Sequence, residues 1–248
     1  MLDLHQRARN TRGGFLLTVF MRKVDLYRLL VVSLSGVLLC GCNIIGAVAA
    51  KAPKPDILAA YKGLAGKSVG IMVYVDPDAA MNWPTLQLDL ANYLQYKLQQ
   101  AQKDDKDGDL KGTTFPYEPR SFVRYQKEHP GIEALPITQV APKLGVERLI
   151  YLQVNEFTTR AEGTITMYLG RINVTLQVIE VDPVTKTATV GYTDPNIRMK
   201  YPRTAPDEGL LNGNDRRIYQ GTLDEISTQL ALKFFRHPDY SIGSGDQN

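Results

Sequence analysis

The stretch TITMYLGRINVTLQVIEV, residues 164–181, predicts a long strand and determines the fold class. Apolar residues occupy every second position, as in a strand with one buried face. The apolar positions are odd-numbered before Gly170 and even-numbered after it, which predicts a β-bulge near that glycine. Residues 182–185 (DPVT) then predict a hairpin turn into a strand over residues 186–192, so this part of the sheet should be antiparallel.

Two shorter apolar runs complete the expected sheet. The run SVGIMVYV, residues 68–75, is apolar at both odd- and even-numbered positions. This pattern predicts a strand that is covered on both faces and central in the sheet. The run RLIYLQV, residues 148–154, predicts a second buried strand. Residues 113–117 are expected to add one brief strand pairing, and the sheet as a whole should be mixed.

Helices are expected to cover this sheet. A helix beginning at Pro84 carries an apolar stripe of leucines at four-residue spacing: Leu86, Leu90, Leu94 and Leu98. A second helix should begin at Pro119 and stop at His129, because the residue before a proline avoids the helical region. A short third helix is expected over residues 136–144.

A closing helix follows a loop rich in proline and glycine over residues 194–213. Thr222 and Glu225 have the spacing of a capping box. The expected buried face of the helix is Leu223, Ile226, Leu230 and Phe234. The fold class is therefore predicted as α/β (α+β), a mixed, largely antiparallel twisted sheet covered by helices in a single domain over residues 56–238.

Residues 1–41 have the composition of an export signal. Basic residues precede an apolar run at 29–39, which is shorter than the roughly 20 apolar residues that cross a bilayer. The run ends in Leu39-Cys40-Gly41-Cys42, which resembles the bacterial lipobox. We expect cleavage before Cys42 and lipidation of that cysteine, with translation starting at Met21; an ordinary signal anchor is the alternative.

The residues after the lipobox indicate where the domain is held. Residues 42–55 are expected to form a tether, since two prolines favour an extended spacer. In Gram-negative lipoproteins an aspartate after the lipidated cysteine retains the protein in the inner membrane, so Asn43 favours the periplasmic face of the outer membrane. Residues 239–248 are expected to be a disordered tail.

Charge and cysteine usage exclude two classes of function. Six of the 29 basic and two of the 26 acidic residues lie in residues 1–41, so the mature chain has 23 basic against 24 acidic residues, a net charge of −1. A nucleic-acid partner is therefore not expected. With Cys42 acylated the mature chain keeps no thiol, so neither a disulfide nor thiol catalysis is expected.

The chain shows no clear catalytic motif. His129 and His237 each precede a proline and look like element terminators, although a role as general base is the competing interpretation. Gly66-Lys67-Ser68 lacks the spacing of a phosphate-binding loop, and Asp105, Asp107 and Asp109 lack the glycine and glutamate positions of a calcium loop. We predict no enzyme activity, no metal and no cofactor beyond the lipid on Cys42; a cell-wall hydrolase using paired carboxylates stays a minor alternative.

The predicted loop at 194–213 carries the candidate partner-binding residues. They combine cationic and aromatic side chains of the kind enriched in protein interfaces: Arg198, Lys200, Tyr201 and Arg203. The alternative is an ordinary surface loop.

The lipobox, the first strand, the helix-to-strand step LGVERLIY at 144–151, the long hairpin and the closing helix together resemble a group of envelope lipoproteins. This group includes the periplasmic domain of the curli secretion channel, lipoprotein activators of penicillin-binding proteins and neisserial-type surface lipoproteins. The resemblance covers about residues 55–236 and implies a compact α/β domain that works by protein contact. The curli channel adds long transmembrane hairpins, whereas this chain has one long strand pair.

The predicted function is an outer-membrane-anchored periplasmic lipoprotein that serves the cell envelope as a non-enzymatic interaction or assembly module. Its partner is expected to be an envelope protein or its own copies. An oligomeric secretion-pore subunit is the alternative that the same resemblance supports.

Overall fold

The computed structural model describes residues 55–239. The predicted signal peptide, Cys42, Asn43, the tether up to residue 54 and the predicted tail except Asp239 lie outside the described residues. The elements in chain order are β1 (Asp56–Ile57), β2 (Val69–Val75), α1 (Pro77–Asn82), α2 (Leu86–Asp104), α3 (Pro119–Glu128), a 3-10 turn (Ile132–Ala134), α4 (Ile137–Val140), a 3-10 turn (Ala141–Lys143), β3 (Arg148–Arg160), β4 (Tyr168–Val181), β5 (Ala188–Tyr201), α5 (Asp215–Ala231) and β6 (His237–Pro238).

The main sheet has four strands in the order β2-β3-β4-β5. The pair β2-β3 is parallel, and the pairs β3-β4 and β4-β5 are antiparallel. The short strands β1 and β6 form a separate antiparallel pair. The chain is thus a single α/β domain with a mixed, largely antiparallel sheet, as predicted, and no helix of the described residues is long and apolar enough to cross a membrane.

The prediction that β2 is central is wrong, because β2 lies at the edge of the sheet. Both of its faces are nevertheless covered, which is what its sequence pattern reports. Ser68 forms a parallel bridge to Thr114 at the free edge, which confirms the brief pairing expected over residues 113–117. Further along, the Val73 carbonyl accepts from Gln87 Nε2 at 2.7 Å and from Gln126 Nε2 at 3.2 Å, so two side chains cover this part of the edge.

Helices α2 and α5 cover the first face of the sheet. The four leucines of the α2 stripe are fully buried, which confirms the predicted packing face. Leu223, Ile226 and Leu230 of α5 are fully buried as well, and Phe234 follows just after the helix ends. Each such side chain stabilises the fold by about 1.5–3 kcal/mol relative to an exposed position.

The second face is covered at one end only. Helix α3 and the segment from Ile132 to Leu144 pack there on the sheet, and the shared cluster is Met72, Phe122, Ile132, Val140, Ala141, Leu144, Val146, Leu149, Ile179 and Val181. The rest of this face carries polar side chains.

The bulge predicted near Gly170 is confirmed. Thr158 pairs with Arg171, and Arg160 pairs with Tyr168. Between these two pairs β4 advances by three positions and β3 by two, so β4 holds one extra residue. The strand was predicted to begin at residue 164, but it begins at Tyr168. Of the odd-numbered apolar residues before the bulge, Leu169 is buried beside Ala161 and Ala205, whereas Ile165 is exposed and lies outside the strand.

Strand β5 is longer than predicted, because it continues through the expected loop to Tyr201. Pro195 lies in the middle of it, at a second register shift in which Val174 pairs with Ile197 and Leu176 with Asp194. A proline is tolerated there because β5 is an edge strand and the bulge relieves the missing hydrogen bond.

The predicted capping box of the last helix is wrong. Helix α5 begins two turns earlier, where the Asn214 side chain accepts a hydrogen bond from the Arg217 backbone N–H at 2.8 Å. Thr222 is fully buried inside the helix, and its hydroxyl donates to the Ile218 carbonyl at 2.7 Å. Glu225 forms an ion pair with Arg203.

Candidate functional site

The uncovered part of the second face is a continuous polar surface, which we call the open face. Its members alternate with buried apolar residues along β3, β4 and β5, so their side chains point away from α2 and α5. The open face consists of Gln153, Glu156, Thr158, Arg171, Asn173, Thr175, Gln177, Thr193, Arg198 and Lys200.

A charged groove of about 490 Å³ crosses the open face. Cross-strand register places Glu156, Asn173 and Arg198 in one row. The charged and amide side chains that line the groove are Glu156, Glu162, Arg171, Asn173, Arg198 and Lys200.

The three cations of the groove differ in how they are engaged. Arg171 Nη1 lies 3.5 Å from Glu162 Oε2, and Lys200 Nζ donates to Asp207 Oδ1 at 2.8 Å. That hydrogen bond from Lys200 holds the pKa of the Asp207 carboxyl below its usual range. The Arg198 side chain is exposed and forms neither a hydrogen bond nor an ion pair within residues 55–239, so its guanidinium is accessible to solvent.

A cleft of about 390 Å³ with acidic walls lies beside the groove, beyond the end of β2. Asp76, Asp78 and Glu156 line it, and Glu156 also lines the groove. The Asp76 Oδ1 atom accepts from the Asp78 backbone N–H at 3.0 Å and thereby caps α1. Within the part of the chain that the structure describes, no group of three or more His, Cys, Asp or Glu side chains could hold a metal ion.

A third cleft, of about 280 Å³, lies where the covered end of the second face meets the open face. Tyr74, Tyr151 and Gln153 contribute to its sheet side, and Ile132 and Leu135 to its other wall. Burial raises the pKa of Tyr151 to about 12, and the charges of Tyr74 and Glu133 add to the shift. Burial likewise raises the pKa of Tyr74. Both phenols are therefore neutral hydrogen-bonding groups at pH 7, not nucleophiles.

The structure divides the four predicted partner-binding residues between two places. Arg198 and Lys200 lie together in the charged groove, on β5 and not on a loop as predicted. Tyr201 packs on the first face, where its ring occupies the space that a side chain at Gly221 would need. Arg203 pairs with Glu225 of α5, so Tyr201 and Arg203 support the fold.

The other side chains of the groove were not predicted from the sequence. Arg171 and Asn173 belong to the long strand whose apolar half was read as a packing face. The polar half of the same alternation, which continues through Thr175 and Gln177, was the signal of an open sheet face. No sequence pattern indicated Glu156, because it reaches the groove only through its pairing with Asn173 of β4.

His129 lies where a helix ends, as predicted. It is the C-cap of α3, its ring stacks on Tyr125 at 4.1 Å between centroids, and its Nδ1 lies 2.9 Å from the Tyr125 carbonyl oxygen. His237 does not end a longer element; it lies in β6, opposite Ile57. These local contacts account for the position of His129 without a catalytic role.

No family model and no curated protein matches the chain. Among solved structures, the lipoprotein GNA1162 from Neisseria meningitidis is similar at a TM-score of 0.40 and 12% identity, over 66% of this chain and 97% of that one. The PelC dodecamer from Paraburkholderia phytofirmans is similar in two crystals, with TM-scores of 0.37 and 0.32 and identities of 10% and 13%. The matches cover 73% of this chain and 93% and 89% of the PelC chains. Similarities at this level assign neither a family nor a function, and the resemblance to envelope lipoproteins stays a prediction.

Proposed function

We propose that this chain is a lipid-anchored lipoprotein of the outer membrane whose α/β domain acts by binding a protein and not by catalysis. The lipobox ending in Cys42 supports the anchor, and Asn43 supports the outer membrane as the destination. The open face is the surface through which the domain binds.

The observation that carries the proposal is the unequal covering of the sheet. Helices α2 and α5 cover one face, whereas the second face is buried at one end and polar over the rest. The open face presents the charged groove, with Arg198 exposed and unengaged among the described residues, and arginine is one of the residue types enriched in protein interfaces.

The chemistry of the clefts supports binding over catalysis. The cleft at Tyr151 offers phenols that are neutral at pH 7, together with amides and aliphatic side chains. The groove offers guanidinium, ammonium and carboxylate groups that are open to solvent or already paired. Neither arrangement places a nucleophile beside a general base.

Site-specific photo-crosslinking in living cells tests the proposal. A photoreactive amino acid at Thr193, which is exposed on the open face, should give a discrete protein adduct. The matched control is Asn92, which is exposed on α2 outside the open face and should give none. Equal adducts at both positions, or none at either, would contradict the proposal.

A further inference from the structure

The charged side chains of the open face and the adjoining acidic cleft that form no ion pair within the described residues are ordered by sign across the strands. Acidic ones lie at one side, with Asp76 and Asp78 beyond the end of β2 and Glu156 on β3. Arg198 lies at the other side on β5, beside Lys200 and Arg171, which pair with Asp207 and Glu162. Asn173 of β4 lies between Glu156 and Arg198 in the same row.

Such an order makes the surface complementary to itself. Neighbouring strands lie about 4.8 Å apart, so the row from β3 to β5 spans about 10 Å. A two-fold axis that lies in the interface, parallel to the strands and between β3 and β4, exchanges the two sides of the face. It brings Glu156 of one copy over Asn173 of the other, and Arg198 of one copy over the acidic cleft of the other. A two-fold contact requires this kind of self-complementary patch.

We propose that the open face binds a second copy of this chain, face to face across a two-fold axis; this rests on the function proposed above and names the partner of the same surface. A foreign acidic protein would be the expected partner if the face were cationic throughout. Here both signs stand side by side, and a mature chain with a net charge of −1 has little overall repulsion between copies.

The polar composition of the face determines the kind of association. The surface between the two charged sides carries amide and hydroxyl side chains, including Asn173, Thr175 and Gln177. Exposed ion pairs of this type contribute little each and are screened by salt. The dimer is therefore reversible and salt-sensitive, and co-anchoring of copies on one membrane raises their effective concentration.

Charge exchange between copies tests the dimer on full-length, lipidated protein in detergent, by sedimentation at low and high salt. Arg198→Glu places an acidic residue over the acidic cleft of the second copy, and Asp78→Lys places a cation over the cationic side. Because each change acts twice in a two-fold dimer, either variant alone should raise the dissociation constant about tenfold. An equimolar mixture of the two variants should restore association, since both contacts of the mixed dimer are then attractive.

The control is Arg216→Glu, the same charge change at an exposed arginine of α5 on the other side of the sheet. Thermal unfolding of each variant verifies its fold. A monomer at all concentrations, an equal effect of Arg198→Glu and Arg216→Glu, or a mixture that does not re-associate would overturn the dimer. If the protein is monomeric while Thr193 still cross-links to a different protein, the dimer is refuted and the proposed function stands.

Discussion

The backbone of Gly170 packs directly against the side chain of Thr222. A Cβ atom placed on Gly170 would lie 1.9 Å from the hydroxyl oxygen of Thr222. Gly170 lies at the bulge of β4, and Thr222 is fully buried in α5. The bulge therefore brings backbone, and not a side chain, against the last helix. This contact fixes the distance between the sheet and α5 at the end where the open face begins.

Gly170→Ala should destabilise the domain by about 1–3 kcal/mol, because the added methyl group overpacks a site with no free space. Thermal or urea unfolding measures the change. In a Thr222→Ala background the same substitution should cost less, since the closest atom is then missing while Ile218 Cγ2, at 3.1 Å, still limits the space. An alanine variant as stable as the parent would show that the strand and the helix are not in contact.

Asn214→Ala should lower the free energy of unfolding by about 1 kcal/mol, because the Asn214 side chain satisfies an otherwise unpaired N–H at the start of α5. Glu225→Ala, which removes a surface ion pair with Arg203, should change stability by less than about 0.5 kcal/mol. Urea unfolding compares the two variants. If Glu225→Ala were more destabilising than Asn214→Ala, the result would favour a helix that begins at the predicted capping box of Thr222 and Glu225.

Glu147→Gln should destabilise the domain at pH 7 and have no effect in acid. The Glu147 carboxylate accepts from Lys67 Nζ at 2.9 Å and from the Ser68 backbone N–H at 3.1 Å. The hydrogen bond from Lys67, followed by that from Ser68, lowers the pKa of Glu147. A carboxyl whose pKa is lower in the folded state contributes stability above its unfolded pKa of about 4.3 and loses that stability as the pH falls through the folded value.

At pH 7 the difference between wild type and Glu147→Gln should be about 0.5–1 kcal/mol, since the side chain is partly exposed to solvent. It should begin to fall below about pH 4.3 and vanish once the pH is below the lowered pKa of the folded state. Unfolding curves recorded from pH 3 to pH 7 measure it, with Glu162→Gln as a control at an almost fully exposed carboxylate. A difference that does not change with pH would rule out the ionised contact as its source.

The features that follow from local periodicity were predictable from the sequence. The leucine stripe of α2 and the apolar face of α5 are buried as predicted, because helical spacing directly reports which side packs. The change of parity around Gly170 located the bulge, although of the odd-numbered apolar residues behind that prediction Leu169 is buried and Ile165 is exposed.

The position of β2 was not predictable, because periodicity reports whether the two faces of a strand are covered and says nothing of its edges. The contacts that cover its edge come from Gln87 and Gln126, which are 14 and 53 residues away from Val73 in sequence. Only the tertiary fold brings them there.

The candidate site was predictable in part. Arg198 and Lys200 were selected for their chemistry, but Pro195 made their segment look like a loop because a proline argues against a central strand. Their neighbours Glu156, Arg171 and Asn173 come from other strands and join them through register alone. A site built across three strands leaves no continuous motif in the sequence.

The membrane anchor is tested most directly by metabolic labelling with a fatty-acid analogue in a Gram-negative host, with mass analysis of the N-terminal peptide. The wild-type chain and Cys40→Ser should be labelled, and their mature form should begin at Cys42 with lipid attached. Cys42→Ser should carry no label and remain unprocessed. Labelling that persists in Cys42→Ser, or a mature chain that begins elsewhere, would contradict a lipoprotein anchored at this cysteine.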